Sequence, residues 1–160
     1  FTGPYVKIIK GLWHMWHAAG IEWDKDSTEP IYRLYHAISK DGIEWVRESN
    51  VIFSPKVEKE CQSAPCLIKR KGIWFMFFCY RHGVNFRNKQ RGYRIGCAYS
   101  HDLSSWHRND ELGGLSTSST GWDSQMVCYP SIIELEGRTI MLYCGNYFGM
   151  GGFGVAELES

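Results

Sequence analysis

Two acidic side chains stand just ahead of strand-like stretches, and their chemistry suits acid–base catalysis. Glu60 precedes Cys61-Gln62-Ser63-Ala64-Pro65, and Asp123 precedes a similar stretch that reaches Pro130. Cleavage of a glycosidic bond needs two convergent carboxyl groups, one as acid and one as base or nucleophile. We therefore predict Glu60 and Asp123 as catalytic residues. The alternative is that each acid caps a loop or pairs with a neighbouring Lys or Arg.

Other polar and aromatic side chains near these acids could bind a sugar. Arg81 could hold a carboxylate ionised or donate to a hydroxyl, although a surface salt bridge is an equal alternative. Trp23 and Trp122, which lie in predicted loops, could stack on a sugar ring. His17 and His82 could act as general bases, but such histidines are more often satisfied residues at the rim of a site. The predicted substrate-binding set is Arg81, His82, Trp23, Trp122, Gln62, Gln125, Asn146 and His17.

A repeat with an offset of 61 residues organises the chain around these residues. The stretch 32–47, Y-R-L-Y-H-A-I-S-K-D-G-I-E-W-V-R, recurs at 93–108 as Y-R-I-G-C-A-Y-S-H-D-L-S-S-W-H-R. The same offset maps Gly11-Leu12-Trp13 onto Gly72-Ile73-Trp74 and Pro4 onto Pro65. A fixed period of this size indicates a repeat architecture.

Each copy contains short β-rich stretches separated by turn residues. In the first copy we predict strands at 5–10, 12–19, 31–39 and 43–47, with a polar loop at 19–30; the second copy repeats that order. A third copy begins at Cys128 but lacks a fourth strand. Units of this kind match the four-stranded antiparallel blades of a β-propeller. The predicted fold class is therefore all-β, with a single domain over residues 1–160 and blades at about 4–50, 64–110 and 128–160.

The alternation of strand direction predicts which loops share a face. The long loops at 18–30, 81–92 and 145–152 are expected on one face, together with the stretches that lead into the innermost strands. The tight turns are expected on the other face, where we interpret the repeated Ser-x-Asp motifs as structural. Because long loops on a rigid scaffold often carry function, we predict the ligand site on the first face. No helix is predicted in the Gly-rich stretch 149–154.

Composition excludes several classes of protein. The formal net charge is +1 without a concentrated basic patch, which argues against nucleic-acid and acidic-membrane partners. No apolar run approaches the length of a membrane span, and no signal peptide is visible. The six cysteines lack zinc-ligand spacing, so we predict no metal and no cofactor. We favour reduced thiols in a cytoplasmic protein over three disulfides.

At this point the repeated pattern resembles a known group of enzymes. The sequence pattern G-x-W-x-M followed by Y-R-I-x-x-A-x-S-x-D-G-x-x-W is similar to that of the five-bladed propeller glycosidases of families 43 and 32. The tail G-W-D-S-Q-M-V-C-Y-P resembles the C-terminal half of bacterial glycosyl hydrolase-like proteins. The resemblance implies a general-acid role for Glu60. The Arg-Asp-Pro motif of those families has no match in this chain.

These observations together predict a glycoside hydrolase-like domain that acts on or binds a carbohydrate at one face. The alternatives are a non-catalytic carbohydrate-binding propeller and a protein-interaction scaffold. Because three blades do not close a ring, we expect either a longer chain or a homodimer to complete the propeller.

Overall fold

The structure, a computed structural model, describes residues 2–25 and 27–158 and consists almost entirely of antiparallel β-sheet. The residues outside the described ranges are Phe1, Asp26, Glu159 and Ser160. The predictions for the loop at 19–30 and for the third blade are therefore compared with the structure without Asp26, Glu159 and Ser160. Three sheets succeed one another along the chain, and we call them blades 1, 2 and 3.

Among the described residues the first two blades have four strands each and the third has three, as the repeat predicted. Blade 1 contains β1 (Thr2–Ile9), β2 (Leu12–Trp23), β3 (Pro30–Ser39) and β4 (Val46–Arg47). Blade 2 contains β5 (Cys61–Arg70), β6 (Ile73–Arg81), β7 (Arg94–Ser100) and β8 (His107–Arg108). Blade 3 contains β9 (Cys128–Leu135), β10 (Arg138–Cys144) and β11 (Phe153–Glu157).

The first hairpin of every blade closes with the same tight turn. Lys10-Gly11, Lys71-Gly72 and Glu136-Gly137 all have positive φ at both positions, from 47° to 51° at the first residue and from 81° to 85° at the glycine. This is the type I′ turn, whose twist matches that of the strands it joins.

The blades pack face to face through apolar layers. The interface between blades 1 and 2 contains Trp16 and Leu34 from one side and Leu67, Met76 and Phe78 from the other, and all five are buried. The interface between blades 2 and 3 contains two smaller clusters, one around Cys79 and Met126 and the other around Ile95 and Val127. Alternating in-and-out side chains therefore give each blade two packing faces.

A β-bulge interrupts the innermost strand of each blade at the same place. Gly3, Ala64 and Tyr129, each directly before a proline, have φ of 55°, 48° and 55°. The strand registers shift at these points in all three blades. Bulges of this type re-aim a side chain out of the regular alternation.

The repeated Ser-x-Asp motifs are structural, as predicted. Ser100 Oγ accepts from the N–H groups of Asp102 and Leu103, and Asp102 Oδ1 accepts from those of Ser104 and Ser105. The first copy makes the same four bonds around Ser39 and Asp41. In each copy the following Trp donates its indole N–H to a turn carbonyl.

Three details differ from the prediction. The predicted loop at 19–30 is shorter in the structure, because β2 continues to Trp23 and β3 begins at Pro30. Backbone pairing between the two strands continues past Gly20. A 3-10 turn lies at Asp110–Gly113. The loop predicted at 145–152 contains a four-residue helical segment, α1 (Asn146–Gly149), in which Tyr147 and Phe148 have left-handed backbone angles.

All six cysteines are free thiols, and five of them are buried. In the described ranges, no helix has the length and apolar character needed to cross a membrane. Nor does the described part of the chain bring together three or more His, Cys, Asp or Glu side chains that could hold a metal ion.

Candidate functional site

The long loops meet on one face, where ion pairs join them. Arg87 Nη1 lies 3.0 Å from Glu29 Oε1, and Arg91 Nη2 lies 2.8 Å from Glu58 Oε2. Lys59 pairs with Asp24, which also accepts from the backbone and side chain of Ser27. The pKa of Asp24 is lowered by Lys59 first and then by Ser27. These links hold the hairpin tip, the stretch before β5 and the loop after β6 together.

Glu60 is fully buried directly before β5 of blade 2, with no exposed surface. Its Oε2 accepts from the N–H groups of Lys56 (2.9 Å) and Val57 (3.2 Å). Its Oε1 accepts from Gln62 Nε2 (2.7 Å) and from Arg108 Nη1 (2.6 Å). Four donors thus hold this carboxylate as an acceptor, which is the environment of a structural ion pair.

The ion pair is packed against blade 2, and Gln62 links it to blade 1. The guanidinium of Arg108 lies over the rings of Phe78 and Tyr80, at 5.1 and 4.7 Å from their centroids, and pairs with Asp110 as well. Gln62, also fully buried, accepts from the N–H of Leu34 in blade 1 through its Oε1 (3.4 Å). Groups of blade 2 and of the segment that precedes it thus shield the Glu60 carboxylate from solvent, and its catalytic role stays a prediction.

Asp123 lies in a different part of the molecule. The residue is 7% exposed, and its carboxylate accepts from the hydroxyl of Tyr143 at 3.1 Å. Within 2–25 and 27–158, no hydrogen bond or ion pair joins it to Glu60. The common bulges also correct the alignment of the two acids. Counting back from Pro65 and Pro130, the residue that matches Glu60 is Gln125, two positions beyond Asp123.

One hydrogen-bonded and stacked group beside blade 3, which we call the clasp, contains Trp122, Gln125 and Asn146. Asn146 Oδ1 accepts from the N–H of Gln125 (2.7 Å), and its Nδ2 donates to the carbonyl of Gly121 (3.0 Å). The ring of Trp122 stacks on Tyr143 and lies so close to Gly154 that a Cβ there would approach it to 2.5 Å. One side of this indole is thus used in packing, while 43% of the residue stays exposed.

The remaining predicted residues are separate from this clasp. Trp23 is 71% exposed at the end of β2. His17 is buried and stacks on Tyr35, and burial lowers its pKa. His82 is half-buried, and burial followed by the charge of Arg91 lowers its pKa. Their roles in binding stay predictions.

Arg81 forms the centre of an aromatic cluster. Its guanidinium carbon lies 3.5 Å from the ring centroid of Phe86, 5.3 Å from that of Tyr32 and 5.5 Å from that of Tyr93. Nη1 donates to the carbonyls of His82 and Gly83, and the residue is only 3% exposed. The carboxylate partner and the surface salt bridge expected from the sequence are both absent among the described residues, since backbone carbonyls and rings surround the cation.

Two further rings extend this cluster towards solvent. Tyr129 lies 5.7 Å and Phe148 6.0 Å from Tyr93, centroid to centroid, and Phe148 also meets Phe86 edge-on. Tyr129 and Phe148 are each 38% exposed. We call the set Tyr32, Phe86, Tyr93, Tyr129 and Phe148 around Arg81 the aromatic cluster.

The cluster is held by a hydrogen bond and by unusual backbone angles. The hydroxyls of Tyr32 and Tyr93 lie 2.7 Å apart, and burial followed by Tyr93 raises the pKa of Tyr32. Both exposed rings sit on residues with positive φ, 55° at Tyr129 and 60° at Phe148. Strained non-glycine residues persist where the surroundings fix them and are common at functional sites. None of these rings was predicted as a site residue from the sequence, although Tyr129 is recognisable as the large residue where the other copies have Gly3 and Ala64.

No protein-family model matches the chain. The chain is similar to an uncharacterised protein of Mycobacterium tuberculosis (strain CDC 1551 / Oshkosh), with 31% identity over 158 residues that cover 98% of this chain and 50% of the relative. It is also similar to a 1,2-beta-oligomannan phosphorylase of Thermoanaerobacter sp. (strain X514), with 29% identity over 136 residues that cover 83% of this chain and 42% of that enzyme. The chain thus spans about half the length of the curated relatives it matches.

Solved glycoside hydrolases share the fold. Zg3597, a family 117 glycoside hydrolase of Zobellia galactanivorans, superimposes with a TM-score of 0.71 at 16% identity, covering 97% of this chain and 50% of that one. The arabinanase Arb43A of Bacillus subtilis gives 0.67 at 16% identity, covering 98% and 51%. At these identities the likeness establishes the fold alone: the three sheets are β-propeller blades.

Proposed function

We propose that the loop face of this chain binds a carbohydrate through the aromatic cluster. The observation that carries the proposal is the pair of half-exposed rings, Tyr129 and Phe148, fixed by left-handed backbone over Tyr93 and the buried Arg81. A sugar ring presents C–H groups on its faces and hydroxyls on its rim. Rigid aromatic surfaces next to tyrosine hydroxyls offer complementary contacts to both.

The comparisons support a glycan as the ligand class. The solved structures that resemble the chain include glycoside hydrolases, and one relative is named as a phosphorylase of 1,2-beta-oligomannan. We therefore place β-1,2-linked mannooligosaccharides first in a panel that also contains arabinan and fructan fragments. A five-bladed complete propeller, as the resemblance implies, would set this face around a central channel.

Calorimetric titration of the panel tests this proposal. We expect one class of oligosaccharide to bind, and Tyr129→Ala and Phe148→Ala each to weaken its affinity at least about tenfold, as expected for loss of a buried aromatic contact. Tyr99→Ala is the matched control, because that tyrosine stacks on His107 near the opposite end of β7. Unchanged affinity in both cluster variants, or no binding by any glycan, would contradict the proposal.

We propose binding rather than bond cleavage as the activity that this chain supports by itself. A general acid must reach the leaving-group oxygen, whereas Glu60 has no exposed surface and is held by four donors. Catalysis by Glu60 and Asp123 stays the alternative, and the phosphorylase relative makes phosphate a reasonable co-substrate for the assay.

Turnover of aryl glycosides, with and without inorganic phosphate, separates binding from catalysis. We expect none above the uncatalysed rate. Measurable turnover that Glu60→Gln removes while the variant stays folded would support the catalytic assignment and overturn the binding-only proposal.

A further inference from the structure

The Arg81 guanidinium has one nitrogen for which the described part of the chain provides no partner. Its Nη1 donates to the carbonyls of His82 (2.8 Å) and Gly83 (3.1 Å). Its Nε is buried and has no hydrogen-bond partner among the described residues. The polar neighbours of the cation are the neutral side chains of Tyr32, Tyr93 and Cys61. The Nε edge of this guanidinium is therefore available to a ligand.

Two other arginines show what such an edge binds elsewhere in the molecule. Arg138 donates from Nε and Nη2 to the two carboxylate oxygens of Glu157, at 2.6 and 2.5 Å. Arg108 donates from Nε to both oxygens of Asp110, at 2.9 and 3.2 Å. The donors of a guanidinium lie in one plane and match a planar carboxylate. The edge of Arg81 that contains Nε thus has the chemistry of a carboxylate site.

Ser63 adds a second unpartnered polar group on the same side of blade 2. Cys61 pairs with Arg81 and Ser63 pairs with Cys79, and residues two positions apart on a strand share a face. Ser63 is 9% exposed, and its Oγ has no hydrogen-bond partner among the described residues. Diagonal neighbours of this kind lie about 7 Å apart, within reach of a long side chain. One anionic group can therefore accept from both Ser63 and Arg81.

The acids of the neighbouring loops already have basic partners. Three ion pairs use them: Glu29–Arg87, Glu58–Arg91 and Asp24–Lys59. A buried cation is stable only when its charge and its donors are compensated. Backbone carbonyls and rings compensate Arg81 in part, and the remaining positive charge favours an anionic ligand.

We propose that the glycan bound by the aromatic cluster is acidic, and that the carboxylate of a uronic acid accepts from Arg81 Nε and Ser63 Oγ. This inference rests on the proposed carbohydrate site and names the class of sugar. The sugar ring lies against Tyr129 and Phe148, and its carboxylate reaches inward past them to the buried donors.

The aromatic rings decide how the carboxylate enters and which anion fits. Phe148 covers both Phe86 and Tyr93 and is 38% exposed, so its ring turns outward to admit the ligand. The centroid of Phe86 lies 3.5 Å from the guanidinium carbon of Arg81 and covers one side of its plane. A planar carboxylate fits beside such a covered guanidinium better than a tetrahedral phosphate does.

Titration calorimetry tests the proposal with trisaccharides of galacturonic, glucuronic, mannuronic and guluronic acid, each compared with its methyl ester. The ester keeps the sugar and removes the charge. We expect at least one acid form to bind at least about tenfold more tightly than its ester, as for a hydrogen bond to a charged group. Because this ratio compares two forms of one sugar, a general disturbance of the cluster cancels.

Three variants locate the preference for the acid form. Arg81→Lys keeps the charge but loses the planar donors, so we expect the preference to fall to about twofold or less. Ser63→Ala is expected to lower it about threefold or more. Arg138→Lys is the control, because the edge of that arginine is already filled by Glu157, and it should leave the preference unchanged.

Binding of neutral glycans or esters without a preference for any acid form would overturn the inference and leave the proposed carbohydrate site standing. Absence of binding by every glycan would contradict both. A preference that survives Arg81→Lys and Ser63→Ala would also overturn the inference, since the charge would then be recognised elsewhere. Inorganic phosphate that binds to the unaltered chain but not to Arg81→Lys, with no acid sugar preferred, would replace the carboxylate site by a phosphate site. If Arg81→Lys does not fold, Ser63→Ala decides.

Discussion

The Glu60 carboxylate and the Arg108 guanidinium lie 2.6 Å apart, and both side chains are buried. Removing one partner of a buried pair leaves the other charge without compensation. We expect Glu60→Gln to lower the free energy of unfolding by about 3 kcal/mol, at the low end for such pairs because Arg108 keeps Asp110. Urea denaturation followed by tryptophan fluorescence measures the change.

Glu58→Gln is the control for this substitution. Glu58 pairs with Arg91, but its side chain is 61% exposed, and solvent screening leaves exposed pairs with little effect on stability. If Glu60→Gln were as mild as Glu58→Gln, the buried pair would not stabilise the fold and the structural role would be wrong.

His17 gives the molecule a predicted dependence on pH. Burial lowers its pKa below the ordinary value of 6.5, so on acidification the unfolded chain takes up a proton before the folded chain does. Stability therefore falls as pH drops below 6.5, and this contribution is absent above it. We expect His17→Gln to reduce the loss of unfolding free energy between about pH 7.5 and 5.5, and the exposed His101→Gln to leave it unchanged.

Single residues were the hardest to predict from the sequence. The repeat correctly separated Asp41 and Asp102, as turn residues, from the acids on the loop face. It could not reveal that Glu60 faces Arg108, because the partner lies in a strand far along the chain. The aromatic cluster was missed for a similar reason: Arg81, Tyr32 and Tyr129 come from three blades.

At the scale of elements, the type I′ turns offer a direct test of backbone strain. Lys71 has φ of 47° and Gly72 has φ of 85°, and a Cβ on Gly72 would meet no atom within 4 Å. Asn tolerates the left-handed region better than Lys, and Ala tolerates it worse than Gly. We expect Lys71→Asn to raise the free energy of unfolding by about 0.5 kcal/mol and Gly72→Ala to lower it by about 1 kcal/mol.

Thermal unfolding of the two turn variants checks this prediction. Because neither change alters a packed side chain, opposite signs would arise from the backbone alone. Equal signs would contradict the strain argument.

The elements themselves were largely predictable. Lys-Gly and Glu-Gly pairs between β-rich runs marked the hairpins, and the repeat fixed the strand order. The bulges before Pro4, Pro65 and Pro130 could not be seen, since a shift in register has no sequence signature beyond the proline. The helical segment at 146–149 could not be predicted for another reason. Its Tyr147 and Phe148 adopt left-handed φ and ψ angles, which aromatic residues rarely take.

At the scale of the whole molecule, the two terminal blades each expose an apolar sheet face. Val6 and Ile8 are exposed on blade 1, on the side opposite to blade 2. Ile133, Phe153 and Val155 are exposed on the corresponding outer side of blade 3. In a propeller such faces pack on neighbouring blades, and contiguous apolar surface promotes association.

We therefore expect the isolated chain to self-associate, with a mass by light scattering that rises with concentration. The double variant Ile8→Lys/Val155→Lys should shift the mass towards that of the monomer, whereas Ile43→Lys, at a turn position that is 80% exposed, should not. A monomer at all concentrations would contradict the expectation of a homodimer that completes the ring.

The placement of the cysteines has a consequence for following how the molecule opens. None precedes Cys61, so blade 1 carries no thiol, while blades 2 and 3 share all six. Burial raises the pKa of Cys66, Cys97 and Cys128 to about 12, which leaves almost no reactive thiolate in the closed state. The rate at which a thiol reagent modifies each cysteine would therefore report how often its own blade opens. The native cysteines can serve as these probes without any substitution.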